Sequence, residues 1–201
     1  MVLIALAVGL LTGEGEDRDS GPPGSLAAAV TGTTDQLVGA DTSGNPALSP
    51  TPGRQEPSRE QWLELLPKLE AVAQQNPADV GARRKLALAY YNLGRFPEAE
   101  QIYSALLAVG EDAVLRDRLG NTLRDMGDPP RAETAYRKAI ADDPTLAPPY
   151  LNLAELLWRG GDEDLAVAVL NTGIAAVPEA SRANLEKARQ LLAGEKEGAT
   201  S

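Results

Sequence analysis

The sequence predicts an all-α fold: a short right-handed solenoid of about three helix-turn-helix units, with a degenerate leading helix before them and a capping helix after them. Two observations predict this architecture. From about residue 58 onward, apolar residues recur at helical spacing, as in Leu86, Ala89, Tyr90 and Leu93. Over the same part of the chain, glycine, small and aromatic positions return every 33 or 34 residues, which indicates a repeat architecture.

The composition limits the chemistry that the chain can perform. Its 201 residues include no His and no Cys, which excludes Ser–His and Cys–His nucleophile pairs and zinc sites built from His or Cys. The 29 Asp and Glu outweigh the 19 Lys and Arg, and this acidic balance argues against binding to the phosphate backbone of nucleic acid. We therefore expect no enzyme activity, no catalytic residue, no metal site and no cofactor.

The chain opens with an apolar segment, residues 1–12, which reads VLIALAVGLLT after Met1. A membrane-spanning helix needs about 20 apolar residues, so this segment is too short to span a bilayer by itself. We interpret it as a truncated membrane anchor; the alternative is a soluble protein with an apolar tail. The acidic stretch EGEDRD that follows favours an extracytoplasmic domain, since positive charge tends to stay in the cytoplasm, and a cytoplasmic domain is the alternative.

Two further segments precede the repeats. Residues 13–57 are rich in Gly, Pro, Ser and Thr, as in GPPGS and SGNPALSPTPG. Such a segment buries too little apolar surface to offset the entropy of ordering, so we predict a disordered linker. A leading helical segment follows over residues 58–79, where Pro67 is expected to kink the helix or split it in two.

The repeat unit is defined by five positions, counted from a glycine expected to end its first helix. They are a Leu eight residues before the glycine, a small residue seven before it, the glycine itself, an Ala five after it, and a Tyr or Leu nine after it. In the three units these residues are Leu86, Ala87, Gly94, Ala99 and Tyr103, then Leu119, Gly120, Gly127, Ala132 and Tyr136, then Leu153, Ala154, Gly161, Ala166 and Leu170. Agreement at five positions in three units is far more specific than any single short motif.

This pattern resembles the tetratricopeptide repeat family, in which small, aromatic and Pro positions recur over 34 residues. The resemblance divides the chain into units 80–112, 113–146 and 147–180. The second unit fits best, with Pro144 near its end, whereas the first has Glu111 where the proline is expected. Residues 181–195 are predicted to form an amphipathic capping helix with Ser181 as its N-cap, followed by a disordered tail over residues 196–201.

The resemblance also implies where a partner binds. In this family the first helix of each unit lines a concave groove that holds extended peptides or helices. The matching positions in this sequence are Arg84, Leu88, Tyr91, Asn92, Asp117, Asn121, Arg124, Asp125, Leu151, Glu155, Trp158 and Arg159. Asn and Arg can bond a partner's backbone and carboxylates, and Tyr and Trp are enriched at binding hot spots. For Trp158 the alternative is packing in the core against the capping helix.

We therefore expect an adaptor or scaffold that holds a protein or peptide client in the groove and is tethered to a membrane through residues 2–12. The layout of an apolar start, a long linker and a repeat domain resembles bacterial envelope assembly factors, such as the adaptors of cytochrome c maturation. The competing hypothesis is a self-assembling structural protein, a homo-oligomer whose repeats stack onto copies of themselves. An enzyme is a third interpretation, which no motif supports.

Overall fold

The structure is a computed structural model that describes residues 57–110 and 112–198. The predicted apolar segment 1–12 and residues 13–56 of the predicted linker lie outside the described residues. The described ranges contain helices and no strand, which confirms the predicted fold class. The helices are α1 (Arg59–Gln75), α2 (Val80–Asn92), α3 (Phe96–Leu107), α4 (Ala113–Asp125), α5 (Pro129–Asp142), α6 (Ala147–Arg159), α7 (Glu163–Ala176), a short 3-10 helix (Glu179–Ser181) and α8 (Ala183–Gly198).

Each of the three repeat glycines ends a helix, as the sequence predicts. Gly94, Gly127 and Gly161 have φ angles of 77°, 80° and 88°, in the left-handed region that other residues rarely adopt. After Gly94, the N–H of Arg95 donates to the carbonyl of Tyr90 at 2.8 Å, and equivalent bonds follow the other two glycines. The same hydrogen-bonded turn therefore joins the two helices of each unit.

α1 runs without interruption through Pro67, so the predicted split into two helices is wrong. A proline removes the hydrogen bond to the carbonyl four residues earlier, which here belongs to Leu63. Leu63 is 52% exposed, so water can reach this side of the helix and satisfy the carbonyl. A capping box between Ser58 and Gln61 stabilises the start of the same helix.

The helices stack in chain order, each packing against the helices before and after it. In addition α4 contacts α6 and α6 contacts α8, so the first helices of successive units lie together on the inner side of the array. Close packing within units depends on glycine: a Cβ added to Gly120 would lie 2.4 Å from the Tyr136 ring, and one added to Gly173 would lie 2.7 Å from Tyr150. Each aromatic ring thus packs directly on the backbone of its partner helix.

The C-terminal end differs from the prediction in two details. Residues Glu179–Ser181 form the short 3-10 helix, so Ser181 is not the N-cap of the capping helix, which begins at Ala183. That helix extends to Gly198, so a disordered tail from residue 196 is wrong for residues 196–198. No proline interrupts it, and a glycine such as Gly194 costs a helix only about 1 kcal/mol. In the part of the chain that the structure describes, no helix is both long and apolar enough to cross a bilayer.

Candidate protein-binding groove

The first helices of the three units, α2, α4 and α6, carry all twelve residues that the sequence assigns to the groove. Their exposure changes along the array. The four on α2 are half-buried, whereas Leu151, Glu155 and Trp158 on α6 are buried. The groove is therefore open at α2, where a partner can contact the side chains, and closed at α6.

The open part of the groove contains a shallow hollow between α2 and α4, too small to hold a water molecule. Its walls are Leu88, Tyr91, Tyr103, Arg118 and Asn121. An apolar side chain of a partner would cover this hollow and bury its exposed apolar surface without entering it. Sequence reasoning missed Arg118 as a wall residue, although it lies one helical turn before Asn121 and so shares its face of α4.

A chain of polar contacts connects α2, α4 and α5 beside this hollow. The Tyr91 hydroxyl donates to Asp125 at 2.6 Å, and Asp125 also accepts from Arg124 at 2.7 Å. The amide oxygen of Asn121 accepts from the Tyr136 hydroxyl at 2.8 Å and from Arg124 at 3.4 Å. Burial, with the nearby Asp125 carboxylate, raises the pKa of Tyr91 above its usual range, so its hydroxyl remains a donor. These side chains are held in fixed positions before any partner binds.

A second polar contact joins successive units. The Asn152 amide donates to the Asp117 carboxylate at 2.8 Å, and both side chains are buried. Burial raises the pKa of Asp117 from 3.8 to about 6, although the bond from Asn152 and the charges of Arg118 and Arg124 act in the opposite direction. Asp117 therefore links α4 to α6 inside the array and is not available to a partner at the surface.

Arg84 and Asn92 complete the wall on α2. Arg84 donates from Nη2 to Asp112, the N-cap residue of α4, and so ties the first unit to the second. Its Nε is buried and has no hydrogen-bond partner among the described residues. A buried donor without an acceptor costs about 1–3 kcal/mol, so this contact between the units is not fully satisfied. Asn92 bonds back to the carbonyl of Leu88 at 2.9 Å.

The closed part of the groove is built around Trp158. This side chain is 9% exposed and belongs to the same apolar cluster as Leu185 and Leu192 of α8. The structure thus places Trp158 in the core beside the capping helix, the alternative to its predicted role in binding. Glu155 is also buried, and Arg159 donates to it at 3.0 Å. Arg159 is the one predicted groove residue of α6 that is exposed.

These features define a helical-repeat protein with a preformed groove at the N-terminal end of its array. The family model for the tetratricopeptide repeat matches residues 66–116 and 123–194, more than half of the chain. The chain belongs to the tetratricopeptide repeat family. Repeats of this family typically bind protein partners, so the fold supports a role in protein–protein interaction.

Comparison with solved structures gives the same fold. The crystal structure of MamA is similar to this chain with a TM-score of 0.55 and 17% sequence identity, over 71% of this chain and 92% of the MamA chain. At this level of identity the likeness shows the fold alone. No curated protein sequence matches the chain at a significant level.

Proposed function

We propose that this protein is a non-catalytic adaptor that binds a protein or peptide client in the open part of its groove, at α2 and α4. The hollow bounded by Leu88 and Tyr91 carries this proposal. It combines a half-buried apolar wall with polar groups that are already fixed by internal hydrogen bonds. Preformed sites of this kind lose little entropy on binding.

The client that this surface fits carries an aliphatic side chain next to exposed backbone. The side chain lies over the hollow, and the backbone lies across α2, whose groove side chains are half-buried. Arg84, Arg124 and Asp125 are paired within the chain, so the surface offers no large uncompensated charge to attract a strongly charged client. We therefore propose that shape and apolar contact, rather than net charge, select the client.

The cellular setting of this role is also a proposal. The apolar sequence at residues 2–12 and the long segment before the repeats support membrane tethering, with the repeats on the extracytoplasmic side. The same layout supports a part in assembling an envelope complex, such as the machinery of cytochrome c maturation. A cytoplasmic position is the alternative.

A second candidate function is self-assembly into homo-oligomers. One observation favours it: α1, the first described helix, leaves Leu63, Leu65 and Val72 exposed by 52%, 37% and 47%. In a repeat array such a face is covered by the preceding helix. Sedimentation velocity of the full chain over a range of concentrations separates the two functions, because only self-assembly makes the sedimentation coefficient rise with concentration.

The test of the adaptor function is site-specific photo-crosslinking in host cells. A photoreactive amino acid replaces Leu88 in the full chain, and in a matched control it replaces Leu165, which is 53% exposed on α7. We expect a discrete crosslinked protein from position 88 that is absent from position 165 and that disappears when Tyr91→Ala is added. Equal products from both positions would show that the groove is not the binding surface.

A further inference from the structure

A second depression lies on the other side of α2, facing away from the groove. It is a cleft of about 560 Å³ between α1, α2 and α3, within the size range of ligand sites. Arg83, Leu86 and Tyr90 line it from α2, spaced so that they share one face of the helix. Ala73 of α1 and Ile102 of α3 form the two walls. This cleft and the groove therefore use opposite faces of the same helix.

The three units fill the position of Arg83 differently. Eleven residues before each repeat glycine stand Arg83, Arg116 and Tyr150. Arg116 forms an ion pair with Asp142 at the end of α5. Tyr150 is buried and packs against Gly173. Arg83 alone of the three makes no side-chain hydrogen bond or ion pair with any residue of the described ranges.

The sequence explains why Arg83 lacks the partner that Arg116 has. Asp142, the partner of Arg116, lies fifteen residues after Gly127, and the same count from Gly94 reaches Val109. Val109 carries no charge and is 76% exposed, the largest exposure among the large apolar residues of the described part. The first unit thus lacks the carboxylate that the second unit supplies from within the chain.

The acidic residues nearest the cleft do not replace that carboxylate. Glu70 lies on the rim, but it accepts from the Tyr90 hydroxyl at 2.8 Å and lies 3.8 Å from an Arg95 nitrogen. Asp79 accepts a backbone N–H at the start of α2. Among the described residues, Arg83 is therefore a positive charge without a counter-charge in contact, beside an apolar floor, in a protein whose net charge is −10.

We propose that this cleft binds a peptide segment of a protein partner that carries an Asp or Glu beside an aliphatic residue. The carboxylate pairs with Arg83 as Asp142 pairs with Arg116, in the forked geometry that guanidinium groups favour. The aliphatic side chain lies on Leu86 and Ile102. The site is separate from the groove, so it does not rest on the function proposed above.

The polar rim favours a peptide over a fatty acid, which would offer the same carboxylate and aliphatic chemistry. Gln74 lies on the rim and offers both a donor and an acceptor, which suit the alternating carbonyl and N–H groups of a peptide backbone. The hydrocarbon tail of a fatty acid satisfies neither group. The cleft is also open to solvent on one side, so a segment of a larger partner can reach it.

The experiment pans a phage-displayed library of short random peptides on the full-length protein. An enriched peptide is then synthesised, and its binding is measured by fluorescence anisotropy. We expect enriched peptides to place an acidic residue next to an aliphatic one. Arg83→Glu should weaken binding at least about tenfold, and Arg83→Lys should restore part of it. Ala73→Leu should fill the cleft and weaken binding without lowering the melting temperature, whereas Leu165→Glu, at an exposed site on α7, should leave binding unchanged.

Other results would overturn the proposal. An enriched peptide whose affinity does not respond to Arg83→Glu binds elsewhere, and displacement of the peptide by dodecanoate at equal concentration would indicate a fatty-acid site. A photo-crosslinker at position 83 that captures residues 13–56 of the same chain, or a second copy of the protein, would assign the cleft to that occupant instead.

Discussion

The open and closed parts of the groove use the same positions of the repeat, but their side chains differ in burial. Tyr91 on α2 and Trp158 on α6 both stand three residues before a repeat glycine, yet Tyr91 is half-buried in the groove and Trp158 lies in the core. The difference comes from the next first helix along the array: α8 packs against α6 and shares an apolar cluster with Trp158, whereas α4 offers Tyr91 the polar Asp125. A place in the repeat therefore fixes which way a side chain faces, and the neighbouring helices decide whether that face is a surface or a core.

The largest expected effect is on the closed part. Trp158→Ala should lower the free energy of unfolding by about 3–5 kcal/mol, because it removes a buried aromatic side chain and leaves a cavity beneath α8. Urea unfolding followed by circular dichroism measures the loss, with Leu165→Ala, an exposed site, as the control. A loss below about 1 kcal/mol would mean that α8 does not seal this end of the groove.

A smaller, pH-dependent effect is expected where the two parts meet, at Asp117. Its folded pKa of about 6 lies above its ordinary value of 3.8, so the protonated form favours the folded state. This contribution is fully present below about pH 4 and is lost as the pH rises through about 6. Asp117→Asn keeps an acceptor for Asn152 and removes the buried charge, so it should stabilise the protein by about 1–3 kcal/mol at pH 7 and by almost nothing near pH 3.

The measurement for Asp117 is a series of unfolding curves between acidic and neutral pH. Asp162→Asn serves as the control: that carboxylate is exposed and makes no capping hydrogen bond, although it stands at the N-cap of α7, and the substitution changes the net charge equally. If both variants show the same pH dependence, the effect belongs to the overall charge of the protein and not to the contact between α4 and α6.

The smallest expected effect on stability is in the open part. Leu88→Ala should cost about 1 kcal/mol or less, because the side chain is only half-buried. Its effect on capture of the client should be much larger, since the same side chain forms a wall of the hollow. A stability loss as large as that of Trp158→Ala would show that side chains in both parts of the groove are equally buried and would remove the contrast between them.

Much of the fold could be predicted because the same local sequence pattern occurs in all three repeat units. The helix ends could be predicted at Gly94, Gly127 and Gly161, since these glycines recur at the repeat spacing and glycine is favoured at positive φ. The small residue at Gly120 was likewise predictable as a point of close approach between helices. The predicted split of the helix at Pro67 was wrong, because the effect of the proline depends on whether water can reach the carbonyl of Leu63, four residues earlier.

The site was harder to predict, because burial depends on contacts between residues far apart in the chain. Trp158 is buried beside residues of α8 that begin 25 positions later, and Asp117 meets Asn152, which is 35 positions away. No local sequence pattern predicts either contact. In the sequence Arg83 is simply the first of three successive basic residues, Arg83, Arg84 and Lys85. That it lacks a partner within the described residues emerges from the structure, by comparison with the pair that Arg116 forms with Asp142.

The order in which the helices pack has a consequence for synthesis on the ribosome. Because each helix contacts its neighbours in the chain, packing can proceed as the chain emerges, and α2 to α4 can form the open groove while later helices are still being made. α6 has no such independence, since Trp158 is covered only after α8 has left the exit tunnel. A nascent chain stalled before residue 183 would therefore leave that tryptophan exposed, so burial of this end of the groove depends on synthesis of α8.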